Sequence, residues 1–137
     1  MCLAARFTFD EKDWQVRFTQ ATARLPVLTK THDHYLMPWG RRKGEQLTLP
    51  MGGWARLTHI QGGRWDVFQP VPVKIPVSGF MEQDVMGNEQ WHLVTAGQYL
   101  QGLMARANDE QRLYVVILES GPDETYFERW PRIVSRP

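Results

Sequence analysis

Cysteine is nearly absent: Cys2 is the single one in 137 residues. One thiol cannot close an internal disulfide, so nothing in the sequence asks for an oxidising compartment. No window approaches the roughly 18 apolar residues that a membrane-spanning helix needs. The opening residues, Met1 to Phe9, carry no long apolar stretch and no secretory signature. Charge of one sign is lacking as well, with 16 basic against 15 acidic residues and a net charge of +1. The chain as a whole is therefore no polycation, and a nucleic-acid site has to come from a local cluster. There is no G-x-G-x-x-G, no P-loop and no G-x-S-x-G, which removes the sequence support for nucleotide binding and serine hydrolysis. No repeat, low-complexity tract or linker divides the chain. The expectation is one soluble, cytoplasmic, monomeric domain over residues 1–137, without cofactor or metal.

What is present is a globular composition, 42% hydrophobic and 23% charged, on a chain long enough to bury a sizeable core. Proline and glycine are spread throughout and punctuate many short segments, the mark of a strand-rich fold. Arg6 to Phe9, Leu25 to Lys30, Tyr35 to Trp39 and Trp91 to Thr95 read as strands. Arg112 to Glu119, with its Val-Val-Ile-Leu run, is the clearest of them. Val71 to Met81 carries prolines at 72 and 76 and suits an irregular or edge strand. Asp10 to Ala23 reads either way, since Asp10 suits a helix cap while Trp14, Val16 and Phe18 alternate as in a strand. Tyr99 to Ala107 fits a strand or a short helix, and Pro122-Asp123 a helix start. The fold class is α+β: a β-rich, mostly antiparallel sheet or barrel-like core with one or two helices.

Cys2 stands out for its position. If Met1 is removed, as expected before a small residue, Cys2 carries a free α-amine and a thiol together. Their reference pKa values, about 7.7 to 8.0 and about 8.5, leave both partly deprotonated near neutrality. The amine attacks an aldehyde to give an imine, and the thiol then closes a five-membered thiazolidine ring. Glu82, at the end of the Val71 to Met81 segment, is a carboxylate suited to shuttling protons in such a reaction, though a solvated strand-end glutamate is the ordinary reading. The pair His32 and His34 would share a strand face, and a surface turn is the better reading than a metal site. The run Trp39-Gly40-Arg41-Arg42-Lys43 and the looser Arg129, Arg132 and Arg136 are local basic clusters. Six tryptophans accompany them, and arginine beside aromatics is what phosphate contact and base stacking require. Tryptophans are equally ordinary core residues.

In order along the chain these pieces resemble the SRAP (SOS response-associated peptidase) family. Met1-Cys2-Leu3-Ala4-Ala5-Arg6-Phe7 is similar to the family's Met-Cys-Gly-Arg-Phe opening, and Met37-Pro38-Trp39-Gly40 to its Trp-Gly segment. Trp54-Ala55-Arg56 stands where the family has Asn-Ala-Arg. Ile75-Pro76-Val77-Ser78-Gly79-Phe80-Met81-Glu82-Gln83 is similar to Val-Pro-X-X-Gly-Phe-Tyr-Glu-Trp, and Phe127-Glu128-Arg129-Trp130-Pro131 to a late His-Asp-Arg-Met-Pro motif. The resemblance spans nearly the whole chain. It implies a protein of the DNA-damage response that binds single-stranded DNA and crosslinks abasic sites through Cys2, with Glu82 as acid/base. It implies Arg56 on a DNA phosphate and Trp39 as an aromatic near the DNA path; Arg41, Arg42, Trp54 and Arg129 are the further candidates for contact with DNA.

The sequence departs from the family at defined points. Trp54 replaces the motif Asn and Phe127 the motif His, so two polar groups have become aromatic. Leu3 replaces the glycine after the cysteine, two extra residues precede Phe7, and Pro137 follows soon after the last motif where family members usually continue. The expectation is a compact, divergent, phage-type relative. Two alternatives stand beside the crosslinking reading: a module that keeps the fold and binds DNA or protein without the chemistry, and a peptidase acting on its own N-terminus.

Overall fold

The computed structural model describes residues 2–84, 86–118 and 130–135. It is β-rich and mostly antiparallel, and the ambiguous opening third is where local geometry decides first. β1 (Cys2–Phe9) and β2 (Lys12–Arg17) form a hairpin in which Phe9 faces Lys12. The two turn residues between them, Asp10 and Glu11, both have positive φ, at 53° and 64°. That is the turn type whose twist matches paired strands. Asp10 therefore starts a hairpin and caps no helix, and the alternation of Trp14 and Val16 is that of a strand.

The next pair, β3 (Arg24–Leu28) and β4 (His34–Pro38), is also an antiparallel hairpin. A short strand β5 (Trp54–Arg56) runs directly into the helix α1 (Leu57–Gln61), which the sequence did not announce. A 3₁₀ turn spans Asp66–Phe68. The single irregular strand expected over Val71 to Met81 is two strands, β6 (Val71–Ile75) and β7 (Gly79–Gln83), in different sheets. Pro76 has no N–H to give a ladder, so the chain leaves one sheet there and enters the other. β8 (Glu89–Leu93), β9 (Gln98–Ala107), β10 (Glu110–Leu118), β11 (Trp130–Pro131) and β12 (Ile133–Ser135) complete the order. The helix start expected at Pro122-Asp123 lies outside the described residues.

The first sheet has the order β2-β1-β7-β8, and the second β11-β10-β9-β6-β3-β4, with β12 on β9 and β5 parallel to β10. Trp39, one residue past β4, bridges Leu113 in β10, and the Gly40 N–H donates to the Leu113 carbonyl at 2.8 Å. The path of the second sheet so returns on itself and makes a barrel-like core. Side chains on β10 alternate between two apolar clusters. Leu113, Val115 and Ile117 join Cys2, Phe7, Leu25, Trp39 and Phe80 in the larger one, whereas Tyr114 and Val116 pack with Trp65 and Leu103 in the smaller. Both faces of β10 are buried, which is why its sequence is a continuous apolar run. Each fully buried large side chain contributes roughly 1.5–3 kcal/mol. No helix among the described residues is long and apolar enough to cross a membrane.

Candidate functional site

Cys2 and Glu82 are neighbours across the β1–β7 ladder, paired Cα to Cα. In a regular strand Cys2 and Ala5 would point to opposite faces, being three residues apart. The ladder shifts register between Cys2 and Ala4, and this bulge at Leu3 turns Cys2 onto the face of Ala5 and Phe7. On β7, Phe80 points into the large cluster, and Glu82, two residues on, points the same way. Directly opposed side chains on one sheet face have Cβ atoms about 4.5–5.5 Å apart. Thiol and carboxyl are thereby brought together by register alone. Both residues are fully buried, and among the described residues Glu82 is the charged side chain of the buried set.

The second sheet reaches this pair through Trp54 in β5, whose Nε1–H donates to the Cys2 carbonyl at 2.5 Å. Trp54 stacks at a tilt on Phe18, with 4.9 Å between ring centroids, and Phe18 meets Trp39 edge-on at 5.4 Å. Trp39 in turn donates its Nε1–H to the Gly53 carbonyl at 3.0 Å. Glycine is required where this layer closes. A Cβ on Gly53 would stand 2.6 Å from Trp39 Nε1, and one on Gly40, at φ +55°, only 2.2 Å from the Gly52 carbonyl oxygen. The Trp39-Gly40 and Gly52-Gly53 segments thus form a clamp that delivers Trp54 to the backbone of Cys2.

Electrostatics divides the pair. Burial pushes the Glu82 carboxyl up to about 7, into the range where it both gives and takes a proton near neutrality. Burial also pushes the Cys2 thiol far above its ordinary value, and the Glu82 carboxylate adds to the rise. The thiol is accordingly a neutral S–H, donating to the Ala4 carbonyl at 3.5 Å. Cys2 is no ready thiolate, and a nucleophilic sulfur here needs a base beside it.

The chain matches no protein-family model, no curated protein and no solved structure. What the site can do is read from its own residues.

Several residues expected to face DNA have other employment. Trp39 is fully buried and offers no ring face to a base, so the stacking expected of it is corrected: it is a core residue of the clamp. Arg42 donates to the carbonyls of Phe18 at 2.6 Å and Trp39 at 3.0 Å, pairs with Glu45 at 3.1 Å and covers the Phe18 ring. Arg41 donates to the carbonyls of Glu45 and Leu49, both at 3.1 Å. These two guanidinium groups hold the 39–53 loop. Half-buried Trp54 spends its N–H on Cys2. Arg56 is half-buried at the start of α1, and by strand alternation leaves β5 on the Trp54 side. Arg129 and Phe127 lie outside the described residues. His32, at φ 66°, sits in the turn between β3 and β4, while His34 opens β4 edge-on to Phe9 at 4.8 Å. Among the described residues, no three His, Cys, Asp or Glu side chains gather as a metal site.

One neighbour of the pair lies outside the motifs that the sequence singles out. His92 in β8 faces Phe80 across the ladder and lies on its ring at 5.3 Å, while Trp130 meets both rings edge-on, at 5.2 Å from Phe80 and 4.8 Å from His92. Phe80 and Glu82 share a face, so His92 is the diagonal neighbour of Glu82. Burial holds its imidazole below the ordinary value, hence neutral near pH 7. The signal available in the sequence was the alternation of Gln90, His92 and Val94 on one side of a strand.

Proposed function

We propose that this chain is an SRAP-like protein of the DNA-damage response that binds single-stranded DNA and, once Met1 is removed, links Cys2 covalently to the aldehyde of an abasic site. The observation that carries the reading is the in-register pairing of Cys2 with a buried carboxyl, Glu82, whose pKa lies near 7. In this reaction the α-amine of Cys2 adds to the aldehyde carbon, and protonated Glu82 gives its proton to the departing hydroxyl. Water leaves and an imine forms. The neutral thiol then adds across the C=N bond, its proton passing by way of the Glu82 carboxylate to the nitrogen. A carbon–sulfur bond is made, one water is released overall, and nothing is oxidised or reduced. A carboxyl with a pKa near the working pH is suited to both transfers, and the S–H needs the base that its own burial makes necessary.

Trp54 holds the Cys2 carbonyl, so the attacking residue is fixed at its backbone before the amine is freed. The complete burial of Cys2 and Trp54's place in the motif favour, as second reading, a module that binds without reacting. A denaturing gel with single-stranded DNA carrying an abasic site, run beside undamaged DNA, separates the two. Intact-mass measurement of the protein first establishes that the chain begins at Cys2. A shift confined to abasic DNA and lost in Cys2→Ala is the expected result; its absence from processed protein after long incubation leaves the binding module.

A further inference from the structure

A groove of about 620 Å³ opens on the outward side of the second sheet. Its floor follows from strand alternation. Val73 and Ile75 of β6 point into the large cluster, so Lys74 between them points out. Leu28 faces Lys74 across β3–β6, Lys74 faces Gln101 across β6–β9, and the Gln101 N–H donates to the Arg132 carbonyl at 2.8 Å. Leu28, Lys74, Gln101 and Arg132 therefore form one row over four segments. Arg132 also donates through Nη1 to the Gln101 side-chain oxygen, which fixes its guanidinium over the row. Lys30 enters from the turn after β3.

The charge of this row is one-sided. Lys30, Lys74 and Arg132 line the groove together with His32, and no acidic side chain lines it among the described residues. Lys30 and Lys74 form no ion pair there; the Lys74 ammonium rests 5.3 Å from the Tyr99 ring. Three cations on a partly apolar floor attract an occupant that carries repeated negative charge and an apolar body. Arg132 follows Trp130 by two residues, about 7 Å in extended chain, and Trp130 packs on Phe80 and His92 beside Glu82.

We infer that this groove binds the sugar-phosphate backbone of a single nucleic-acid strand. The inference rests on the DNA-binding part of the proposed function and moves the phosphate contacts from the occupied Arg41 and Arg42 to Lys30, Lys74 and Arg132.

Fluorescence anisotropy with a labelled, undamaged oligothymidylate, titrated between 50 and 200 mM salt, tests it. Three neutralised phosphates predict a log–log slope of about −2, or roughly 20-fold weaker binding across that range. Lys30→Gln with Lys74→Gln should lower the slope to about −0.7, and Lys30→Gln alone, at an exposed turn position, to about −1.4. The single variant keeps the test valid if the double variant loses its fold. Wild-type binding with unchanged slope in both variants overturns the groove and leaves DNA binding standing. No binding by the wild type at low salt overturns the DNA-binding reading itself. Thymidine monophosphate binding as tightly as the oligonucleotide assigns the groove to a free nucleotide and also overturns the inference.

Discussion

Glu82→Gln is the substitution on which stability and chemistry should move in opposite directions. Burial raises the carboxyl from an ordinary 4.5 to about 7 in the folded chain. Below the unfolded value both states hold the proton, and the group contributes nothing to pH dependence. Between about 4.5 and 7 the folded state keeps a proton that the unfolded state releases, so stability falls as pH rises. Above the folded value both states are ionised, and the native fold carries the full cost of a buried charge. At 1.36 kcal/mol per pKa unit, that cost is on the order of 3 kcal/mol. Glutamine keeps the shape and cannot ionise. Urea unfolding of both proteins at pH 5 and pH 9 should therefore show Glu82→Gln gaining roughly 2.5 kcal/mol relative to wild type over that interval, since the unfolded carboxyl is already partly ionised at pH 5. His92, which burial holds below its ordinary value, titrates in both proteins and drops out of the difference. The same variant should crosslink abasic DNA about 10²- to 10⁴-fold more slowly if the carboxyl is the general acid/base. Parallel pH profiles for the two proteins would refute the reasoning, because a carboxyl with an ordinary pKa has no desolvation cost to remove.

Much of the architecture was legible because it follows from alternation and punctuation. The Val-Val-Ile-Leu run of β10 and the turn at His32 both hold their places in the fold. The Asp10 turn was not legible from type alone: aspartate serves helix caps and left-handed turns alike, and only the pairing of Phe9 with Lys12 decides between them. The splitting of Val71 to Met81 had its signal in Pro76, whereas the change of sheet that follows depends on partners far away in sequence.

The adjacency of Cys2 and Glu82 was not legible in any sequence pattern, since eighty residues separate them and register joins them. The burial of Trp39 and the engagement of Arg41 and Arg42 ran against the sequence reading for one physical reason. A Trp-Gly-Arg-Arg run has the same composition whether it faces a nucleic acid or clamps its own loop, and the clamp depends on carbonyls of Phe18, Glu45 and Leu49 that no pattern exposes.

Three further substitutions probe the same arrangement. Cys2→Ala should abolish thiazolidine formation while leaving an amine whose imine borohydride traps; an acid-stable adduct without borohydride would sink the ring-closing step. Arg42→Ala should lower stability by roughly 2–3 kcal/mol through its lost bonds to Phe18, Trp39 and Glu45, with no change in the salt slope of DNA binding; a weakened slope would return Arg42 to the phosphate path. Trp54→Phe removes the N–H together with part of the indole and leaves a six-membered ring to pack on Phe18. The Cys2 carbonyl loses its donor, at a cost of about 1–3 kcal/mol in urea unfolding, while the stack on Phe18 persists. With the carbonyl released, Cys2 loses its fixed approach and crosslinking should slow even where the protein remains fully folded. Equal crosslinking rates for Trp54→Phe and wild type, measured well below the unfolding midpoint, would mean that Trp54 holds the two sheets together and does not position the nucleophile.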